Sequence, residues 1–96
     1  MKIDQETLKE ISVYAELAFS PGEVAVIVGV DRVKFLEQYG IVDSDIWLAF
    51  KSGSLKSQAL IRISLLKLAK NGSGSAQTQA LNLFKEMAVK ATNETL

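Results

Sequence analysis

The chain has 96 residues, 48% of them hydrophobic, with no cysteine and no histidine; this is enough for one small globular domain and removes disulfides, thiolate chemistry, imidazole bases and Cys- or His-ligated metal sites. Its opening, "MKIDQETLKE", is polar and acidic, and no stretch approaches roughly 18 uninterrupted apolar residues, so a cytoplasmic protein with no membrane span is expected. The net charge of zero hides a division: residues 1–50 carry nine acids against four bases (−5), and residues 51–96 carry seven bases against two acids (+5).

Taken in chain order, the periodicity is helical nearly throughout. Leu8, Ile11, Tyr14, Ala15 and Ala18 fall at steps of three and four, so "DQETLKEISVYAELAF" is predicted to be an amphipathic helix with Asp4 as N-cap, ending at Ser20-Pro21. Ser20 suits a cap, Pro21 the first helical position, and Glu23 lies three residues on, where its carboxylate can return to the cap amide. The second helix is therefore expected from about Pro21 to Val28, with Gly29 as the left-handed stop and Val30 turned inward. Asp31 can cap a third helix through Tyr39 that Gly40 terminates.

After "GIVDSD", with Asp43 or Ser44 at its start, a long helical pattern runs through "DIWLAFKSGSLKSQALIRISLLKLAK" to Asn71-Gly72. If continuous it would reach about 40 Å at about 1.5 Å per residue. Ser52-Gly53-Ser54 is its weak point, since a mid-helix glycine costs about 1 kcal/mol relative to alanine and can kink or divide a helix. Ser73-Gly74-Ser75 reads as a flexible joint, with Ser75 capping a last helix, "AQTQALNLFKEMAVKA", whose Ala80, Leu81, Phe84, Met87 and Ala88 form an apolar stripe. The tail "TNETL" is expected to fray.

The expected fold is thus all-α: a helix-turn-helix trihelical unit over residues 1–42, then a helical oligomerisation region over residues 43–96 made of a long helix and a shorter last one. Helix-turn-helix units need a small residue in the first helix, a glycine at the turn and apolar residues pinning both helices to a third. Ala25, Gly29, and the set Val24, Val28, Val30 and Phe35 meet those needs; an ordinary trihelical bundle with a glycine turn would meet them too.

The long helix gives a second indication. Leu48, Leu55, Ala59, Ile63 and Leu66 make one stripe, and Leu60, Ile61, Leu65 and Leu68 spread apolar surface around much of the remaining circumference. A helix apolar over most of its perimeter is central to a bundle or shared between subunits. Self-association through this helix and the last one is expected, with Trp47, Leu55, Ala59, Ile63, Leu66 and Phe84 at the interface; coverage by the first three helices of the same chain is the alternative. Trp47 and Phe50, flanked by aliphatics, read as core or interface anchors rather than a base-stacking platform. Asp43 and Asp45 read as cap and first-turn acids rather than a metal pair.

The order of a glycine-valine helix-turn-helix, Asp45-Ile46-Trp47, an A-x-x-x-G stretch (Ala49 to Gly53), a basic run (Arg62, Ser64 through Lys70, Gly72) and a final alanine-bearing helix resembles phage terminase small subunits, over roughly Phe19 to Met87. The resemblance implies an oligomeric recognition subunit with no catalysis and no cofactor. Such a subunit binds the double-stranded DNA of a viral genome, forms rings with copies of itself, and loads a large packaging ATPase in the host cytoplasm.

Carried over by position, the second motif helix would present Asp31, Arg32, Val33, Lys34, Glu37 and Gln38 to the major groove. Arg32 would take a phosphate or a guanine edge, Lys34 a phosphate and Gln38 an adenine edge, while Lys51 and Lys56 would line a track for the DNA backbone. Three positions depart from the pattern. Val33 stands where a small polar residue is expected, Glu37 where a base is usual, and Gln38 where an aromatic often anchors the fold. The acids on this helix would repel phosphate, which leaves a second expectation: a structural or adaptor protein of phage or prophage that keeps the shape and docks protein. An enzyme is not expected, because the carboxylates, hydroxyls and lysines form no recognisable arrangement.

Overall fold

A computed structural model describes residues 2–94. Its elements are five helices: α1 (Gln5–Glu16), α2 (Pro21–Val28), α3 (Arg32–Tyr39), α4 (Asp45–Lys70) and α5 (Gly74–Glu94), with no strand among the described residues. The chain divides into two compact units, Met1–Gln58 and Ala59–Leu96. The first turns of α4 therefore belong to the same unit as α1 to α3.

Local hydrogen bonding sets the helix starts. Asp4 is extended and its Oδ1 accepts the Thr7 N–H at 2.8 Å; that bond holds the Asp4 carboxyl below its ordinary pKa. Ser20 Oγ accepts the Glu23 N–H at 3.2 Å while Glu23 Oε1 accepts the Ser20 N–H at 2.9 Å, a complete capping box. Asp31 Oδ1 accepts the Lys34 N–H at 2.9 Å and opens α3.

Two ends differ from the sequence expectation, and a third settles an alternative it left open. The first helix stops at Glu16, not Phe19: Leu17 is its C-cap and Ala18 takes φ +68°. Ser20 precedes a proline and is pushed into extended geometry, so the chain must leave the helix beforehand, and Phe19 packs from the turn, edge-on to Tyr14 at 6.5 Å. Gly40 does end α3, yet in right-handed geometry. The left-handed residue of that connection is Asp43, at φ +69°, which is therefore no cap; Ser44 caps α4, its Oγ accepting the Trp47 N–H at 3.1 Å and donating to the Gln38 carbonyl at 2.7 Å. At the last connection Ser73, not Ser75, is the cap, since its Oγ accepts the Ala76 N–H at 3.2 Å. Ser75 lies inside α5, where its Oγ accepts from Gln79. The reversal falls on Gly72, at φ +99°, and α5 continues through residues 92–94 of the tail expected to fray; Thr95 and Leu96 lie outside the described residues.

The core of the first unit is Ile11 and Ala15 from α1, Val24 and Ala25 from α2, Phe35 from α3, and Ile46 and Phe50 from α4. Phe35 is completely buried, and Tyr39 meets Phe50 edge-on at 5.2 Å. Gly29, at φ +80°, ends α2, with the Gly29 and Val30 N–H groups both donating to the Ala25 carbonyl at 3.1 Å, a Schellman-type turn that brings α3 back against α2.

Gly53 does not divide α4, which runs unbroken through it. It is buried, and a Cβ there would sit only 2.8 Å from the Ser12 carbonyl carbon and closer still to its oxygen. The glycine lets the α4 backbone touch the α1 backbone. What reads in the sequence as a weak point is a place where two helix backbones meet without a side chain between them.

Candidate functional site

Because Phe35 points into the core, the residues flanking it on the eight-residue α3 are sorted by helical geometry. Val33 and Glu37, one turn apart, occupy the side away from Phe35 and are both exposed, Val33 to 63%. Lys34 is exposed on one edge of that face. Gln38, one turn on from Lys34 and so on the same flank, is half-buried and lines, with Lys2, Ile3, Gln5, Asp45 and Ile46, a mainly polar recess. The adenine-reading position expected for Gln38 is therefore not on the side that Val33 and Glu37 share.

Arg32 is exposed but does not simply extend into solvent. An ideal Cβ on Gly22 would lie 3.1 Å from Arg32 Nε and 3.3 Å from Nη2, so the guanidinium rests on the first turn of α2. Glu23 beside it is committed to the capping box, and the Ser20 N–H holds its carboxyl below the ordinary range.

The lysines of α4 do not form one strip. Lys51 is half-buried and Lys56 exposed; five residues apart, they point about 140° from each other around the helix. Trp47 is half-buried in the first unit, about 80° around α4 from Leu55, and so does not continue the stripe. Leu55, Ala59 and Ile63 are exposed along that stripe, and Leu66 is half-buried.

In the second unit α4 and α5 form a hairpin tied near the turn by Gln77, whose Nε2 donates to the Ala69 carbonyl at 3.0 Å. Only Ala76 and Ala80 of α5 are buried. Leu66, Ala69 and Lys70 face Ala80, Leu81 and Phe84 across an apolar groove of roughly 360 Å³. Phe84 is 55% exposed and Leu60 68%, and Ile61, Leu68, Met87 and Val89 are also more than half exposed. Both helices of the hairpin thus carry large apolar side chains that are more than half exposed.

No group of three or more carboxylate, imidazole or thiol side chains that could hold a metal gathers among the described residues, and no described helix is long and apolar enough to cross a membrane. The sequence reading passed over two features of this surface. Gly22 was hidden because a glycine after Pro21 reads as part of a helix start. The exposure of Val26, at 67%, was hidden because a valine-rich helix reads as core. Comparison with protein-family models, characterised proteins and solved structures finds no match for the chain.

Proposed function

We propose that this chain is a DNA-binding recognition subunit of the terminase small-subunit kind, acting as an oligomer without catalysis of its own and handing viral DNA to a large packaging ATPase. The observation that supports the reading best is the packing of α1, α2 and the start of α4 around Phe35, which turns α3 outward with Arg32 and Lys34 exposed near its amino end. That is the end of a recognition helix that approaches the duplex. The exposed apolar hairpin supports self-association, and association would multiply contacts that are weak singly through effective concentration.

The test is fluorescence anisotropy of a labelled duplex titrated with the protein at about 50 mM salt and then at higher salt. Binding that weakens steeply with salt, and is impaired in Arg32→Ala and Lys34→Ala, is expected. No binding by the assembled protein at low salt would refute the reading.

A second reading, an oligomeric phage or prophage adaptor that docks protein, is favoured by one specific observation. Val33 and Glu37, in the middle of the exposed side of α3, offer nothing to a phosphate backbone. On this reading Val33→Ala and Glu37→Lys impair capture of a protein partner, and no duplex binds.

A further inference from the structure

Gly22 occupies the second position of α2, where alanine is the better helix former. No left-handed backbone demands glycine there, since the positive-φ glycines are Gly29 and Gly72. The space that a side chain would fill is taken by Arg32. Measured from an ideal Gly22 Cβ, Nε and Nη2 lie at 3.1 and 3.3 Å and Cζ at 3.6 Å, so the guanidinium turns its Nε–Nη2 edge toward α2. The guanidinium keeps its Nη1–Nη2 edge, two donors that suit either a phosphate or a guanine. Arg32, however, lies about 100° around α3 from Val33, against the first turn of α2, the helix that crosses the sugar-phosphate backbone in a helix-turn-helix. That position, at the edge of α3 beside α2, favours a phosphate oxygen over a base edge.

The geometry points to Gly22 as a positioning residue that seats Arg32 as a phosphate anchor rather than a base reader. This rests on the nucleic-acid reading above and fixes the role of Arg32 within it. The Gly22 seat makes a graded series possible. Gly22→Ala asks the guanidinium to shift by a few tenths of an ångström, and Gly22→Leu evicts it. At the Cβ position the nearest atoms are the tip of a flexible side chain, and both changes replace a poor helix former.

The experiment measures binding to two duplexes of unrelated sequence, together with thermal stability and the NMR mobility of the Arg32 Nε–H in the free protein. Arg32→Ala should weaken both duplexes equally, by about tenfold at low salt, and lower the salt slope by about 1. Gly22→Leu should weaken both nearly as much, Gly22→Ala less, with no fall in melting temperature for either, and Gly22→Leu should add nothing in an Arg32→Ala background. In the free protein the Nε–H should be ordered in the wild type and averaged in Gly22→Leu. Equal mobility in both proteins overturns the seat whether or not DNA binds. A change in preference between the two duplexes on removing Arg32 overturns the phosphate assignment. Failure of the wild type to bind either duplex, with the Nε–H still ordered, removes the nucleic-acid reading while leaving the seat standing.

Discussion

Replacing Gly53 by alanine is the sharpest probe of how the first unit holds together. The added Cβ would fall within 2.8 Å of the Ser12 carbonyl carbon, and ordinary contact begins at 3.4 Å. The obstructing atoms are backbone, so relief requires α1 and α4 to part by on the order of 1 Å, which forfeits a sizeable part of each dispersion contact across the seam. Ile11, one residue before Ser12, is completely buried, and Ala15, three residues after, nearly so. Overpacking of this kind costs about 1–3 kcal/mol and partial exposure of Ile11 adds about 1 kcal/mol, against about 1 kcal/mol gained in helix propensity. The net expectation is a loss of about 2 kcal/mol, or roughly 10 °C in melting temperature for a unit of this size. Trp47 lies in the same unit and reports its unfolding by fluorescence. Gly74→Ala is the control, because nothing lies within 4 Å of its Cβ position and it should be neutral or slightly stabilising. A Gly53→Ala protein as stable as the wild type would refute the close approach of α1 and α4.

Ser20→Ala removes one half of the capping box and should cost about 1 kcal/mol in denaturant unfolding, with Glu23→Gln costing less, because its amide oxygen still accepts from the Ser20 N–H; equal stability of Ser20→Ala and wild type would count against the cap. Asp4 and Glu23 both have carboxyls depressed by backbone N–H donors. Their contribution is present above the unfolded-state values and lost as pH falls through the lower folded-state values, so stability should decline below about pH 4. An Asp4→Asn, Glu23→Gln double variant should lose part of that decline, as followed by thermal melts across pH. Phe84→Glu and Ile63→Glu place charge on side chains 55% and 52% exposed in the single chain. They should leave helicity by circular dichroism unchanged while lowering the assembled mass; unaltered mass in both would move the self-association surface elsewhere.

What was legible in the sequence was mostly what is decided within four residues. Asp4, Ser20, Glu23 and Asp31 cap where their spacing to the next N–H groups puts them, and Pro21 through Gly29 could be bounded to the residue. The limits of periodicity are equally physical. Ala18 fits the amphipathic pattern, but the extended geometry imposed before Pro21 overrides it and ends α1 at Glu16. Of the two serines that could open α5, Ser73 has the N–H of Ala76 within reach, and nothing in composition separates it from Ser75. Gly53 shows the deeper limit: a glycine between two serines reads as weakness until Ser12, forty-one residues earlier, is brought against it.

For the surface, the sequence marked Arg32, Lys34 and the greasy length of α4 but not their directions. Gln38 turns to the flank, Lys51 and Lys56 diverge, and Trp47 lies half-buried off the stripe that Leu55 begins. Those outcomes depend on which face of each helix the neighbouring elements cover, a property of packing and not of any local run of residues.

The most direct test of the account is the mass in solution by light scattering, with and without duplex DNA. The account predicts a multiple of the 10.5 kDa chain that gains the mass of bound duplex at low salt and releases it as salt rises. A particle of 10.5 kDa that duplex leaves unchanged would contradict it.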